Sequence, residues 1–254
     1  MTPSRGARWR GRALLFDLFG TVVLFAPRVP GVETRGPAWR AAMNWLREAA
    51  ERELPQIAFE DFLPALMQVT EEIVRLRPPE YLEVPSCERF RRALVLLGVD
   101  GNETAAMAER LSLAHMAGLA SMTILPPAHA ELLHALAPRY RLGLVSNFDH
   151  GDTARRILST HGIAELFATV LISDDFGRRK PHPSIFTAAL AQLGVTPDEA
   201  LFVGDSVDDD LLGAHAAGIP AVWLNAKNEP LPAGIPAPHC VIPQLSDLMG
   251  ILVD

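Results

Sequence analysis

Ala13-Leu14-Leu15-Phe16-Asp17-Leu18-Phe19-Gly20-Thr21 decides how the rest of the sequence is read. Four apolar residues run into an aspartate, and two more apolar residues, a glycine and a threonine follow. An unbroken apolar run of this kind suits a strand buried on both faces, as in a parallel sheet. Asp17 then falls at the carboxyl end of the strand, where open α/β sheets bind ligands. Gly20 permits a tight turn or a close backbone approach, and Thr21 sets a hydroxyl beside it. Taken alone, the stretch is equally a strand that ends in a turn-forming aspartate. The residues further along separate the two readings.

Composition bounds the possibilities. The 254 residues are 49% hydrophobic, enough to bury a large core in one domain or two. A net charge of -7 offers no general attraction to nucleic acid or anionic membrane. Two cysteines, Cys87 and Cys240, suggest no disulfide framework. No apolar stretch reaches membrane-spanning length without a charge. Arg5, Arg8, Arg10 and Arg12 open the chain like a signal peptide, but Asp17 interrupts the apolar segment and no cleavage site is convincing. A basic tail and a cytoplasmic location are therefore expected. Arginine supplies nearly all the positive charge, the only lysines being Lys180 and Lys227.

After Thr21 the chain meets a cluster of breakers, Pro27, Pro30, Gly31, Gly36 and Pro37. Helical periodicity follows from Ala38 to about Glu53 and from Phe59 to Arg75. A third helix is expected from Cys87 to Leu97, capped by Ser86, and a fourth from near Asn102 to Gly118. Residues 38 to 118 show no β-like alternation, so the block reads as a small all-helical domain inserted after the first strand. Beyond Leu125-Pro126-Pro127 helix and strand alternate, as in βαβ units. Strands are expected at 141–147, 169–173, 200–205, 221–224 and 239–242, and a closing helix near 243–248. The fold class is thus α/β, a doubly wound, mostly parallel sheet with a small all-helical second domain. The core takes residues 1–24 and 126–254, and the helical domain takes 25–125.

Several apolar strands end in hydrophilic residues: Asp17, Ser146-Asn147 and Asp205, with Lys180 on a loop between strands. In a parallel sheet these ends point the same way and can converge on one pocket. Two carboxylates, a hydroxyl and an ammonium suit a phosphoryl group beside a divalent ion. Carboxylates hold Mg²⁺ through hard oxygens. The ion, lysine and hydroxyl neutralise the phosphoryl oxygens as charge develops, and one carboxylate is left to attack phosphorus.

At these residues the sequence resembles the haloacid dehalogenase superfamily. Its four motifs are similar to Asp17-Leu18-Phe19-Gly20-Thr21, to Ser146 after Leu142-Gly143-Leu144-Val145, to Lys180 in Arg179-Lys180-Pro181-His182-Pro183, and to Gly204-Asp205-Ser206-Val207-Asp208-Asp209-Asp210. The helical block is similar to that family's cap, inserted after the first motif. The resemblance implies Asp17 as nucleophile, Ser146 as the hydroxyl that binds the transferring group, and Lys180 as the lysine that orients the nucleophile and screens charge. It implies Mg²⁺ held by Asp17, Asp205, Asp210 and the backbone carbonyl of Phe19. Which of Asp208, Asp209 and Asp210 binds metal is left open, with Asp210 the best match. Thr21 and Asn147 are candidates to hydrogen-bond substrate, and Arg35, Arg40 and Arg47 to meet an anionic one.

Phe19 departs from the pattern. Most phosphatases of the family carry a second aspartate there, which protonates the leaving oxygen; phenylalanine cannot. Dehalogenases of the family place an aromatic residue at this position but do without the acid at 205. A phosphonate hydrolase would need a cap lysine, and residues 25–125 contain none. The expectation is a Mg²⁺-dependent, phosphatase-like hydrolase of phosphoric monoesters or acyl phosphates that lacks the second-aspartate general acid. A metal-independent 2-haloacid dehalogenase and a catalytically impaired binding or regulatory protein stand as alternatives. The expected partner is a small anionic substrate, with neither nucleic acid nor membrane, and the protein a monomer or homodimer.

Overall fold

The computed structural model describes residues 8–25 and 37–253. Arg5, Arg35 and the breakers from Pro27 to Gly36 lie outside the described residues, as does the side chain of Arg40. In chain order the elements are β1 (Ala13–Phe16), β2 (Leu24–Phe25), four long helices, α1 (Pro37–Glu53), α2 (Phe59–Leu76), α3 (Ser86–Leu96) and α4 (Thr104–Ser121), and then β3 (Thr123–Ile124). The second half carries α5 (Pro127–Leu136), β4 (Arg141–Ser146), α6 (Gly151–Thr160), β5 (Thr169–Ile172), α7 (Ser173–Phe176), α8 (Pro183–Leu193), β6 (Ala200–Gly204), α9 (Leu212–Ala216), β7 (Ala221–Leu224) and β8 (Cys240–Ile242). The architecture is an α/β core with a parallel sheet and an inserted helical domain.

The chain divides into two compact units. The first comprises Met1–Leu24, Ile124–Phe148 and Leu158–Asp254. Its six-stranded sheet has the order β5-β4-β1-β6-β7-β8, and every neighbouring pair runs parallel. The apolar content of the strands explains the arrangement. All four residues of β1 and all five of β6 are buried, as a sheet covered by helices on both faces requires. On one face Leu15, Val145 and Phe202 pack with Ile185, Phe186 and Leu190 of α8. Phe186 meets Phe202 edge-on at 5.0 Å between ring centroids. The closing segment differs from the expected helix: Leu245–Gly250 is a 3₁₀ helix that buries Leu245 and Leu248.

The second unit comprises Phe25–Thr123 and Asp149–Ile157. Its helices enclose their own core, in which Leu46, Phe62, Phe90, Leu94 and Leu111 are fully buried. The rings of Phe62 and Phe90 stack at 6.4 Å. Ser86 does not cap α3. Pro85 holds that position, while the Ser86 hydroxyl lies buried and accepts a hydrogen bond from Ser112 Oγ at 2.9 Å. No helix among the described residues is long and apolar enough to cross a membrane.

Candidate active site

Strand register sets the first three site residues. Phe16 pairs with Leu144 on one side and Val203 on the other. Asp17 and Asp205 therefore directly follow β1 and β6, and Ser146 is the last residue of β4, paired with Ile172 of β5, all at the same end of the sheet. The Asp17 amide still donates to Val203 O at 3.0 Å, which fixes the backbone where its side chain leaves the strand.

Lys180 arrives from the loop between α7 and α8 and is buried, with only 1% of its surface exposed. Its ammonium donates to Asp17 Oδ1 at 2.6 Å and to Asp210 Oδ1 at 2.7 Å. It also lies 5.4 Å from the centroid of Phe202. Asn147 holds the lysine from behind. Its Nδ2 donates to Lys180 O at 3.0 Å, and its Oδ1 accepts from Lys180 N at 2.7 Å. Both ends of the Asn147 carboxamide are thereby engaged with backbone.

The run of three aspartates is sorted by a single π-helical turn, Val207–Leu211. The wider turn brings Asp210 inward. Its Oδ2 accepts from Ser206 N at 3.0 Å, while Ser206 Oγ accepts from Asp209 N at 3.1 Å. Asp210 is buried, Asp209 half-buried and Asp208 exposed. One oxygen each from Asp17, Asp205 and Asp210 lies within 4.8 Å of the others. Two glycines leave room for them. A Cβ on Gly204 would overlap the Asp210 carboxylate, and one on Gly20, whose φ is +90°, would overlap that of Asp205. Gly20→Ala is expected to cost about 1–2 kcal/mol from the backbone conformation alone. It should also displace Asp205, so urea denaturation and metal titration together check both effects.

Electrostatics match this crowding. Burial raises the Asp17 carboxyl to about 7, with Lys180 opposing and Asp210 and Asp205 adding to the rise. Burial and then Asp210 raise Asp205 to about 6. Burial alone would depress Lys180, but Asp17 and Asp210 hold it above the usual lysine value. Asp17 and Asp210 are thus buried against one ammonium while Asp205 stays open to solvent beside them, a donor set of hard oxygens that fits a divalent cation. Thr21 Oγ1 and Ser146 Oγ are buried beside this end of the sheet with no hydrogen-bond partner among the described residues.

The reading of Phe19 as the residue that defines the site is corrected here. The acid set consists of Asp17, Asp205 and Asp210, contributed by the end of β1, the end of β6 and the π turn. Phe19 lies outside that set. Its ring packs on Phe148 at 4.8 Å between centroids, and its backbone bridges to Val23. A site with a three-aspartate cluster beside a buried lysine is not stripped of its acids. The reading of a site crippled at residue 19 is withdrawn, together with its dehalogenase and impaired-protein alternatives. Asp149 belongs to the second unit, where Arg89 pairs with it at 3.0 Å.

Sequence reasoning missed Ser206 and Gly204, whose work is to place Asp210, and the clamp that Asn147 makes on Lys180. The small residues on either side of Asp205 were the available signal for the first two.

Comparison with known proteins identifies the family. Residues 12–218 match the haloacid dehalogenase-like hydrolase family. A phosphoserine phosphatase of Thermus thermophilus is 40% identical over 105 residues, 41% of this chain and 42% of that relative, so under half of its length is matched. A phosphoglycolate phosphatase of Salmonella typhi is 30% identical over 227 residues, 84% of this chain and 81% of its own. Among solved structures, a 2-haloacid dehalogenase from Pseudomonas syringae pv. Tomato superposes with a TM-score of 0.74 at 24% identity, covering 95% of this chain and 98% of that one, a likeness of fold. With the family match spanning most of its length and the three-aspartate, one-lysine cluster at the sheet's carboxyl end, this chain belongs to the haloacid dehalogenase-like hydrolase family.

Proposed function

We propose that this protein is a Mg²⁺-dependent phosphatase that cleaves small phosphoric monoesters or acyl phosphates with Asp17 as nucleophile. The observation that carries the reading is the cluster of Asp17, Asp205 and Asp210 within 4.8 Å around the buried Lys180. When ionised, these groups leave an excess of two negative charges, which one divalent ion balances. Asp17, Asp205, Asp210 and the backbone carbonyl of Phe19 would hold Mg²⁺, which supplies Lewis-acid neutralisation of phosphoryl charge when bound. The phosphatases named above, among the relatives, support the reaction class.

The chain's own groups then divide the work. Lys180 fixes Asp17 Oδ1 and favours its ionised form, leaving the second oxygen to attack phosphorus. The bond from phosphorus to the ester or acyl oxygen breaks, its electron pair leaves with that oxygen, and an aspartyl phosphate remains for water to cleave. Ser146 and Thr21 hydroxyls donate to phosphoryl oxygens, which gives their partnerless atoms a use. The role of Asn147 is to hold the lysine loop through its backbone.

Calorimetric titration with Mg²⁺ tests the metal reading. Wild-type protein is expected to bind one ion, and Asp205→Asn to weaken binding at least about tenfold. Unchanged affinity in the variant would remove Asp205 from the metal site, and no heat from the wild type would remove the site itself.

A further inference from the structure

The ladder between β4 and β5 ends at the site, where Ser146 and Ile172 are the last paired residues. Beyond that pair the main chain at Phe148 has left the sheet, and its N–H and C=O need partners elsewhere. The Ser173 hydroxyl supplies them. Ser173 is fully buried, and its Oγ accepts from Phe148 N at 2.9 Å and donates to Phe148 O at 3.3 Å. One hydroxyl can do both, because it carries a donor and two acceptor lone pairs. Asp174 N donates to the same carbonyl at 3.3 Å.

Lys180 closes the segment that Ser173 opens. Its backbone N and O bond the Asn147 carboxamide at 2.7 and 3.0 Å. Residues 173 and 180 are therefore fastened to two consecutive residues, Phe148 and Asn147. A lysine side chain is long and flexible, so where its ammonium reaches depends on how its backbone is held. Here a side chain that is only 1% exposed must meet Asp17 Oδ1 at 2.6 Å and Asp210 Oδ1 at 2.7 Å. The Asn147 clamp sets the backbone end of that reach. The clamp is only as firm as the main chain that carries Asn147, and Ser173 ties that main chain down at the next residue.

We propose that Ser173 is a positioning residue for the reaction: its bonds to the Phe148 main chain hold the Asn147 clamp, and the clamp aims Lys180 at Asp17. For the reaction, this rests on the reading of Asp17 as nucleophile; the hold on Lys180 does not.

The sequence supplies a direct readout. Lys180 and Lys227 are the only lysines, so full-length protein labelled with ¹³C at the lysine ε-carbon gives two signals. The Lys227 side chain is 83% exposed and serves as the internal standard. Ser173→Ala should move the Lys180 signal and leave that of Lys227 in place. It should also lower kcat/KM for an aryl phosphate by about tenfold or more, as a displaced orienting group does. Ser173→Thr, which keeps the hydroxyl, should restore part of both. Ile185→Val, a small cavity in the core of the same unit, should lower the melting temperature without moving the Lys180 signal, which separates positioning from loss of stability. Ser173→Cys, similar in size with a weakly bonding thiol, keeps the test open if the alanine variant fails to fold. A Lys180 signal that stays at its wild-type position in the alanine and cysteine variants overturns the proposal. A moved signal with unchanged kcat/KM overturns the role in the reaction. If the wild type itself releases no phosphate, the reading of Asp17 fails, and the Lys180 signal still decides whether Ser173 holds the lysine.

Discussion

Asparagine in place of Asp17 is expected to lower kcat by about 10³-fold or more, the scale on which enzymes lose turnover when a covalent nucleophile is removed. The change is close to isosteric, so the chemistry is isolated from the packing. Lys180 keeps its second partner, Asp210, at 2.7 Å. The carboxyl group of Asp17 is already pushed up to about 7, chiefly by burial, so a neutral amide relieves part of the crowding of negative charge. Thermal stability without metal should therefore be unchanged or slightly raised. Loss of turnover with a retained melting temperature assigns Asp17 to the reaction. Loss of both would make it structural.

Lys180→Met is expected to have the largest effect on stability. The ammonium is buried and pairs with two carboxylates at 2.6 and 2.7 Å. Removing one partner from a buried ionic group costs about 3–5 kcal/mol, because the remaining charges are left uncompensated. Here the remaining group is three aspartates within 4.8 Å. The sign of the pH dependence follows from the raised values of Asp17 and Asp205. A carboxyl group whose value is raised by folding binds protons more readily in the folded state, so stability falls as pH rises from the ordinary carboxylate range through the raised value. Without Lys180 both groups rise further. In the presence of a chelator, the deficit of the variant should be smaller at about pH 5 than at about pH 8. Urea denaturation at the two values measures it. Added Mg²⁺ should stabilise the variant more than the wild type, since it then replaces the missing positive charge. A variant as stable as wild type at the higher pH would mean that the ammonium is not balancing the cluster.

The sheet could be read from the sequence because β1, β4 and β6 are uninterrupted apolar runs. A strand buried on both faces has little other composition available. Their ends followed, since each run stops at a polar residue: Asp17, Ser146 and Asp205. The choice among Asp208, Asp209 and Asp210 could not be read in the same way. It depends on the π turn, which adds a residue to the helical repeat, and on a backbone amide at Ser206 that accommodates one carboxylate and not the others. Asn147 and Lys180 are 33 residues apart, and their contact runs through backbone atoms of the lysine, which no side-chain pattern records.

The second unit was less legible for a related reason. Its four long helices announce themselves by apolar periodicity. Residues 149–157 give no such sign, because they follow a strand and read as the next helix of the α/β alternation. What draws them into the helical unit is polar: Ser86 N donates to Asp149 O at 2.7 Å, and Arg89 pairs with Asp149 at 3.0 Å. Phe19 misled in the opposite direction. The motif comparison named Asp17, Asp205 and Asp210 correctly, but the departure at residue 19 was read as a missing acid, when the acid cluster is assembled from strand ends and the π turn.

Release of inorganic phosphate from a panel of aryl, acyl and sugar phosphates is the most direct measurement. It should be run on the purified wild-type protein with Mg²⁺, after removal of the metal with a chelator, and after Mg²⁺ is restored. Phosphate release that requires Mg²⁺, disappears with chelation and returns on re-addition is the expected result. Release that proceeds equally well without the metal, or halide released from a 2-haloacid under chelation with no phosphate from any member of the panel, would contradict a metal-dependent phosphatase centred on Asp17.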